Sequence, residues 1–230
     1  MRILVTGGAS QLSQRLAASL HGDHHVRLTE RREVAIEATG FDFVRSDLGH
    51  DEATNELLKG MDAVIHSGEA DPSANESDQL DAAMRCTYNL LWAAAEEGVS
   101  RLIYLSSLRI LEKYGEGLVV TERWRPIPAT DVPTLCYHLG EYVCREFARE
   151  SKISVVCLRL GDLSWNDGEP GAASSSMLYF DDAAQAVQGA LRTPAKPGWS
   201  IFHIQSVVPN ARYRIEVARE SLGYNPAARS

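Results

Sequence analysis

A tyrosine and an acid stand four residues apart in a segment with helical spacing, and both side chains are suited to proton chemistry. Tyr137 and Glu141 lie in "TLCYHLGEYVCREFARE" (134–150). Residues i and i+4 share one face of a helix, so the phenol and the carboxyl are predicted to be neighbours. A nearby cation lowers the pKa of a phenol and a nearby anion raises it. The spacing therefore predicts that Glu141 raises the pKa of Tyr137.

Two serines end an apolar segment upstream of this helix. Ser106 and Ser107 close "RLIYLSS" (101–107), which has the continuous apolar character of a strand covered on both faces. A hydroxyl at the carboxyl end of such a strand has two common uses. It hydrogen-bonds a reacting oxygen, or it satisfies neighbouring backbone groups.

Length, composition and charge narrow the possible functions. The chain has 230 residues, of which 44% are hydrophobic and 23% charged, as expected for a soluble globular protein of one domain. Its net charge of −8 disfavours a nucleic-acid or anionic-membrane partner. The four cysteines have no metal-site spacing, and the amino terminus has no cleavable signal pattern. These features predict reduced thiols, no metal and a cytoplasmic location.

Strands and helices alternate along the chain. Predicted strands cover 2–5, 25–29, 41–47, 62–68, 101–107, 154–160 and 199–205. Predicted helices cover 11–20, 51–60, 77–98, 135–150, 181–192 and 215–224, and "EPGAASSS" (169–176) is predicted to be a loop. Alternation over short connections is typical of parallel β-α-β units and predicts an α/β fold with a doubly wound sheet.

Six segments, in this order, resemble the extended short-chain dehydrogenase/reductase family, the NAD-dependent epimerase/dehydratases. The first, "VTGGASQLSQRL" (5–16), is similar to the family turn "TGGAGFIGSHL". The others are Asp47-Leu48, "VIHSGEA" (64–70), "YNLLWAAAEEGVSRLIYLSS" (88–107), "TERWRPIPATDVPTLCY" (121–137) and "LGYNP" (222–226). The resemblance covers most of the chain and has the compact layout of uronate-dehydrogenase-like members. It implies one Rossmann-like domain (1–230), with a small C-terminal substrate lobe from about 162–178 and 199–230.

The resemblance implies NAD as the cofactor, with NADP as the alternative. Glu30 ends the second strand, where the family places an acid that accepts both ribose hydroxyls and favours NAD. Arg31 and Arg32 follow, and they would suit the 2′-phosphate of NADP. A solvated charged turn is the third interpretation. The implied cofactor-binding residues are Gly7, Ser10, Gln11, Leu12, Glu30, Arg31, Asp47, Leu48, His66, Ser67 and Gly68.

The same resemblance assigns catalytic positions to Ser107, Tyr137 and Glu141. Ser107 corresponds to the hydroxyl that binds the reacting oxygen, and Tyr137 to the general acid/base. Glu141 stands where the family has a lysine that lowers the pKa of the tyrosine, and no other tyrosine has a lysine four residues on. Glu141 either disturbs the site or forms an ordinary helix ion pair with Arg145.

Other departures also fall on functional positions. Ser10 and Ser13 replace two glycines of the phosphate turn, and their Cβ atoms are predicted to crowd it and restrict φ. Ala83 and Cys86 stand in the family's N-x-x-G-T motif, while positions that pattern the core are retained. This distribution is typical of a relaxed or redirected function.

Two functions therefore stay open. One is an NAD(P)-dependent oxidoreductase or epimerase that transfers a hydride on a small sugar or sugar acid. The other is a catalytically impaired relative, a pseudoenzyme with a ligand-sensing or structural role. Candidate pocket residues are Arg109, Arg159 and Trp165, although Arg159 also suits a structural role. The resemblance further implies a homodimer formed through 77–97 and 135–150.

Overall fold

Seven short apolar strands build one parallel sheet, as the alternating pattern predicts. The computed structural model describes residues 1–34, 41–165 and 174–227. The strands of the sheet are β1 (Arg2–Val5), β2 (His25–Glu30), β3 (Asp42–Arg45), β4 (Ala63–Ser67), β5 (Arg101–Ser107), β6 (Ser154–Leu160) and β9 (Gly198–Ile204). Their order is β3-β2-β1-β4-β5-β6-β9, and every neighbouring pair is parallel.

Helices cover both faces of this sheet. They are α1 (Gln11–Leu20), α2 (Glu52–Leu58), α3 (Glu76–Asp81), α4 (Thr87–Glu96), α5 (Val132–Arg149), α6 (Phe180–Arg192) and α7 (Glu216–Leu222). Leucines and alanines of α1, α6 and α7 pack on one face, and apolar side chains of α2, α4 and α5 pack on the other. The two resulting cores confirm the Rossmann-like doubly wound fold.

The strand order places the candidate site. The chain reverses between β1 and β4, because β3 ends at one edge and β4 returns to the other side of β1. In open α/β sheets, ligands bind at this switch point, beyond the carboxyl ends of the strands. The segments after β1, β2, β3 and β4 therefore meet at one end of the sheet.

The predicted long helix 77–98 is interrupted by one wider turn. A π-helix (Ala82–Cys86) joins α3 to α4, and the departures Ala83 and Cys86 both lie in it. Such turns are frequent at functional sites. Helix α4 ends at Glu96, and Gly98, the predicted stop, follows two residues later with a φ of +72°.

The segment after β6 is short. After β6, strand β7 (Asp162–Ser164) pairs with β8 (Met177–Tyr179) as a separate two-stranded sheet. Earlier in the chain, a 3-10 helix (Leu108–Leu111) follows β5. Within the predicted lobe, residues 199–204 belong to the main sheet as part of β9. Residues 169–173 of the predicted loop lie outside the described residues.

Candidate functional site

A cleft of about 390 Å³ lies at the switch point. Its walls come from the ends of β1, β2, β3 and β4, and from α3 and the π-helix. Of the residues predicted to bind a cofactor, those that line the cleft are Gly7, Glu30, Arg31, Asp47, Leu48, His66, Ser67 and Gly68.

The turn between β1 and α1 tolerates its two serines without backbone strain. Gly7 has a φ of +69°, the conformation that favours glycine, whereas Ser10 has an ordinary extended φ of −80°. The Ser10 hydroxyl caps α1 by accepting from the Ser13 amide at 3.1 Å, and the buried Ser13 hydroxyl donates to the Thr6 carbonyl at 2.8 Å. The predicted restriction of φ at Ser10 is therefore wrong.

Gln11 and Leu12 form the first turn of α1. The Gln11 side chain is exposed, and the Leu12 side chain is buried in the core beneath α1. Neither side chain lines the cleft wall, so contact with a ligand at the amino terminus of α1 would run through backbone amides.

Glu30 and the two arginines have opposite charges and would favour different dinucleotides. An acid suits the ribose hydroxyls of NAD, and a guanidinium suits the 2′-phosphate of NADP. The Glu30 carboxylate accepts from the amides of Ala9 (3.1 Å) and Arg31 (2.7 Å), which leaves lone pairs on both oxygens. Arg31 lies 3.9 Å from Asp78, and Arg32 pairs with Asp71 at 3.3 Å. Both guanidinium groups are therefore directed to acids across the cleft mouth.

His66 lines the cleft, and both of its ring nitrogens are hydrogen-bonded. Its ring nitrogens contact the Thr6 hydroxyl at 2.7 Å and the Thr87 hydroxyl at 2.8 Å. Burial lowers the pKa of His66 to about 4, so the imidazole is neutral near pH 7. These two bonds link β4 to Thr6, which follows β1, and to α4.

Asp47 and Leu48 follow β3. Asp47 is exposed at the cleft, and Leu48 has a positive φ of 52°. The amide of Leu48 donates to the Ser46 hydroxyl at 3.1 Å, and its carbonyl accepts from Asn89 at 2.8 Å. These bonds hold the loop at the edge of the cleft.

Tyr104 fills the space between β4 and α5. Its ring is fully buried, and its hydroxyl donates to the Tyr137 carbonyl at 3.3 Å. A Cβ atom added to Gly68 would lie 2.4 Å from this hydroxyl. One added to Gly140 would lie 2.0 Å from it. Both glycines are required because the tyrosine passes between them.

Glu141 points into the protein and forms a buried ion pair. Its oxygens accept from Nε and Nη2 of Arg159, each at 2.8 Å, and Oε1 also accepts from the Ser106 hydroxyl at 2.6 Å. Glu141 is 5% exposed and Arg159 is 2% exposed. The alternative pair with Arg145 is wrong, since Arg145 instead lies 3.5 Å from Glu146. Of the two roles considered for Arg159, lining a pocket or supporting the structure, the buried pair with Glu141 fits the second.

The pKa of Tyr137 is raised, as predicted, but the cause differs. Burial is the main contribution, and the negative charge of Glu69 adds to it, while Arg109 acts in the opposite direction. The Glu141 carboxylate instead raises the pKa values of Tyr104, Cys144 and Cys157, in each case after burial. Glu141 is therefore not among the groups that shift the pKa of Tyr137.

Ser107 ends β5 and Arg109 lies in the 3-10 helix that follows, and neither of them lines the cleft. The Ser107 hydroxyl accepts from the Arg109 amide at 3.2 Å and caps the 3-10 helix. The Arg109 guanidinium lies 4.0 Å from the Asp162 carboxylate. Trp165 stacks on Phe180 with Arg15 above its ring.

Two residues of the site were not anticipated. Glu69 follows β4 and lines the cleft, and its amide donates to the Ser67 hydroxyl at 3.2 Å. Cys136, one residue before Tyr137, also lines the cleft. A charge within the small-residue segment "HSGEA" (66–70) is the signal that would have identified Glu69. Nothing in the spacing of the cysteines points to Cys136.

Within 1–34, 41–165 and 174–227, no three His, Cys, Asp or Glu side chains are grouped to hold a metal ion. In the same ranges, no helix has the length and apolar character needed to cross a membrane.

Comparison with known proteins identifies the family of this chain. An open parallel sheet with a cleft at its switch point defines a Rossmann-like α/β protein. Residues 3–164 match the model of the NAD dependent epimerase/dehydratase family, and the chain belongs to that family. This membership confirms the resemblance found in the sequence motifs.

Several relatives are dehydrogenases of sugars or sugar acids. A uronate dehydrogenase of Pseudomonas syringae pv. tomato is 27% identical over 195 residues, which span 84% of this chain and 70% of that protein. The L-arabinose 1-dehydrogenase (NAD(P)(+)) of Haloferax volcanii is 29% identical over 175 residues, 70% of this chain and 66% of that protein.

Solved structures share the fold over nearly the whole chain. The uronate dehydrogenase from Agrobacterium tumefaciens has a TM-score of 0.85 at 21% identity, covering 99% of this chain and 84% of that chain. A variant of that enzyme was solved complexed with NAD, and it has a TM-score of 0.84 at 21% identity, with the same coverage of both chains. At this identity the likeness concerns the fold alone.

Proposed function

We propose that this chain binds NAD in the switch-point cleft and acts by hydride transfer on a small sugar or sugar acid. The observation that carries the proposal is the cleft itself, whose wall combines Thr6 and Gly7 of the turn after β1 with Glu30 and the Asp47-Leu48 loop. Glu30 suits ribose hydroxyls, and the amino terminus of α1 suits a phosphate. The family and the dehydrogenase relatives support the same class of reaction.

NAD is favoured over NADP by the charges around Glu30. A 2′-phosphate requires an available guanidinium, and Arg31 and Arg32 are directed to Asp78 and Asp71. Glu30 would also repel a phosphate at that position. Calorimetric titration with each dinucleotide tests this order, and tighter binding of NADP would contradict it.

The residues of the chain supply proton transfer and orientation. A nicotinamide cofactor, when bound, supplies the hydride acceptor. Tyr137 is the candidate base for a substrate hydroxyl, and Ser107 is the candidate donor to the same oxygen. Arg109, near Tyr137, is the cation that opposes the rise in its pKa.

The raised pKa of Tyr137 predicts an alkaline pH dependence. Oxidation needs the phenolate, so the rate is expected to rise with pH and to keep rising above pH 10, the ordinary pKa of tyrosine. Tyr137→Phe is expected to lower kcat by about 10² to 10⁴ and to abolish this limb. The measurement is NADH formation from uronic acids across pH.

Tyr142→Phe is the matched control, because Tyr142 is 52% exposed on the outer face of α5. Its pH profile is expected to follow that of the native chain. A native rate that reaches its plateau near neutral pH would exclude Tyr137 as the base.

A ligand-binding role without turnover is the second candidate, and the Glu141–Arg159 pair favours it. The family lysine is replaced by a side chain committed to the interior, so the site lacks the cation that activates the tyrosine. Thermal shift with NAD, combined with an assay on uronic acids, separates the two. Stabilisation by NAD without NADH formation supports the binding role, and turnover supports the dehydrogenase.

The outer faces of α4 and α5 support a homodimer. An apolar groove of about 390 Å³ runs between the helices, and its exposed side chains include Met84 (43%), Tyr88 (43%) and Tyr142 (52%). Contiguous exposed apolar surface of this kind marks an association site. We propose that a second copy of the chain covers it, as the family resemblance implies.

Light scattering tests the dimer. The native chain is expected at twice its 25.3 kDa, and Tyr142→Glu is expected to shift it to the monomer because a carboxylate would be buried in the interface. Val217→Glu, at an exposed position of α7, is the control and should remain dimeric. A native monomer at high concentration would contradict the proposal.

A further inference from the structure

Two ion pairs connect the opposite walls of the cleft at its opening. Arg32 follows β2 and donates from Nη1 to the Ser73 hydroxyl at 2.8 Å and from Nη2 to the Asp71 carboxylate at 3.3 Å. Asp71 and Ser73 belong to the segment between β4 and α3. Arg31 lies 3.9 Å from Asp78 of α3. Both arginines and both acids line the cleft, so these contacts cross its mouth.

The acids of these contacts are restrained by their own segment. Asp71 accepts from the amide of Ser73 at 2.9 Å and from its hydroxyl at 2.7 Å. Asp78 accepts from the side-chain amide of Asn75 at 3.0 Å. An exposed ion pair is weakened by the entropy lost when two mobile side chains are fixed. Because the carboxylates are already restrained, less of that entropy is lost when the arginines meet them.

The segment that carries these acids is weakly buried. In the part of the chain that the structure describes, none of residues 69–85 is buried, and this range includes all of α3. A segment with few buried apolar contacts opens locally at a low free-energy cost. The position of this wall relative to the end of β2 therefore depends on the bonds of Arg31 and Arg32.

We propose that the Arg32 contacts with Asp71 and Ser73, together with the Arg31–Asp78 pair, form a gate that opens before a dinucleotide enters or leaves the cleft. This inference rests on the proposed NAD site and adds its regulation. The space of about 390 Å³ lies behind these bonds, so they also close over a bound ligand. A gate that is equally stable with and without ligand slows association and dissociation by the same factor and leaves Kd unchanged.

Stopped-flow fluorescence of NADH mixed with the full chain tests the gate. Arg32→Gln and Asp71→Asn each remove the ion pair between these two residues. Both variants are expected to raise the association and dissociation rate constants by about two- to fivefold, the range set by the strength of an exposed ion pair. Kd is expected to change by less than about twofold, because both rate constants rise together. The double variant is expected to match the single variants, since the same pair is lost in all three.

The two substitutions change the net charge in opposite directions, and this separates a gate from a long-range effect of charge. NADH is an anion, so a long-range effect would slow its association with Arg32→Gln and speed its association with Asp71→Asn. A gate raises the rate constants in both variants. Arg149→Gln is the matched control, because Arg149 is a 69% exposed residue of α5 whose surface pair with Glu146 lies outside the cleft. Its rate constants are expected to follow those of the native chain.

Three results would count against the gate. If NADH binds all forms with equal rate constants, or if the two variants change them in opposite directions, the gate is overturned and the NAD site stands. A changed Kd with an unchanged association rate constant also overturns it. If NADH binds none of the forms, the proposed function fails and this inference fails with it.

Discussion

Glu141→Lys is expected to lower the free energy of unfolding by roughly 3–5 kcal/mol, the cost of breaking a buried ion pair and leaving its partner uncompensated. The substitution restores the residue type that the family has at this position. It does not restore the family's site, because the native carboxylate points to Arg159 in the interior. The new ammonium would meet a buried guanidinium.

The surroundings of Arg159 make this cost large. The guanidinium makes its two charge-assisted bonds to Glu141, and within the described residues its Nη1 atom has no partner. His203, its register neighbour on β9, is buried, and burial followed by the charge of Arg159 lowers the pKa of the imidazole to about 3. This neutral ring supplies no charge to replace the lost carboxylate.

Urea unfolding of three variants measures the effect. Glu146→Lys is the matched control, because Glu146 lies on the same helix with its side chain 38% exposed, and its surface pairs contribute at most about 1 kcal/mol. The double substitution Glu141→Leu with Arg159→Met is expected to be near neutral, since apolar replacement of a buried pair often is. A stable Glu141→Lys variant with raised activity would contradict the buried-pair interpretation.

Gly140→Ala is expected to destabilise the chain by roughly 1–3 kcal/mol, although alanine is the better helix former. The added methyl carbon would lie 2.0 Å from the hydroxyl oxygen of Tyr104 and 2.6 Å from Cζ of its ring. Tyr104 is fully buried between Gly68 and Gly140, so the ring cannot move away without displacing β4 or α5.

A double-mutant cycle with Tyr104→Leu tests this contact. Leucine removes the atoms that would clash, so Gly140→Ala is expected to cost less in the Tyr104→Leu background than in the native chain. Gly22→Ala is the control, because nothing lies within 4 Å of its added Cβ atom. Equal costs of Gly140→Ala in both backgrounds would show that Tyr104 is not the obstacle.

The architecture was predictable because it depends on local patterns. Continuous apolar strands such as "RLIYLSS" and "SVVCLRL" require cover on both faces, and helical spacing between them supplies it. The cleft was predictable for the same reason, since the switch point follows from the order of parallel strands. Glu30 and His66 line the cleft, because they lie at or near the carboxyl ends of β2 and β4 and the position along a strand sets where a residue emerges.

The orientation of the charged side chains was not predictable from the sequence, because it depends on contacts between segments that are far apart along the chain. Helical spacing placed Tyr137 and Glu141 on one face, but the two side chains have different surroundings. Tyr137 packs against the apolar cluster that follows β5, and Glu141 is buried beneath the helix. Glu141 turns inward because β6 and β5 bring Arg159 and Ser106 beneath it, 18 and 35 residues away along the chain. No local pattern predicts such a partner.

The sequence by itself determined the doubly wound sheet, the phosphate turn and the family, because each follows from residue order and short-range spacing. Only the tertiary structure decided which charges act on Tyr137. Sheet pairing buries Glu141 against Arg159, while Glu69, which follows β4, lies in the wall of the cleft. The physical reason is that electrostatic interactions depend on distance and burial in space, which the spacing of residues along the chain does not specify.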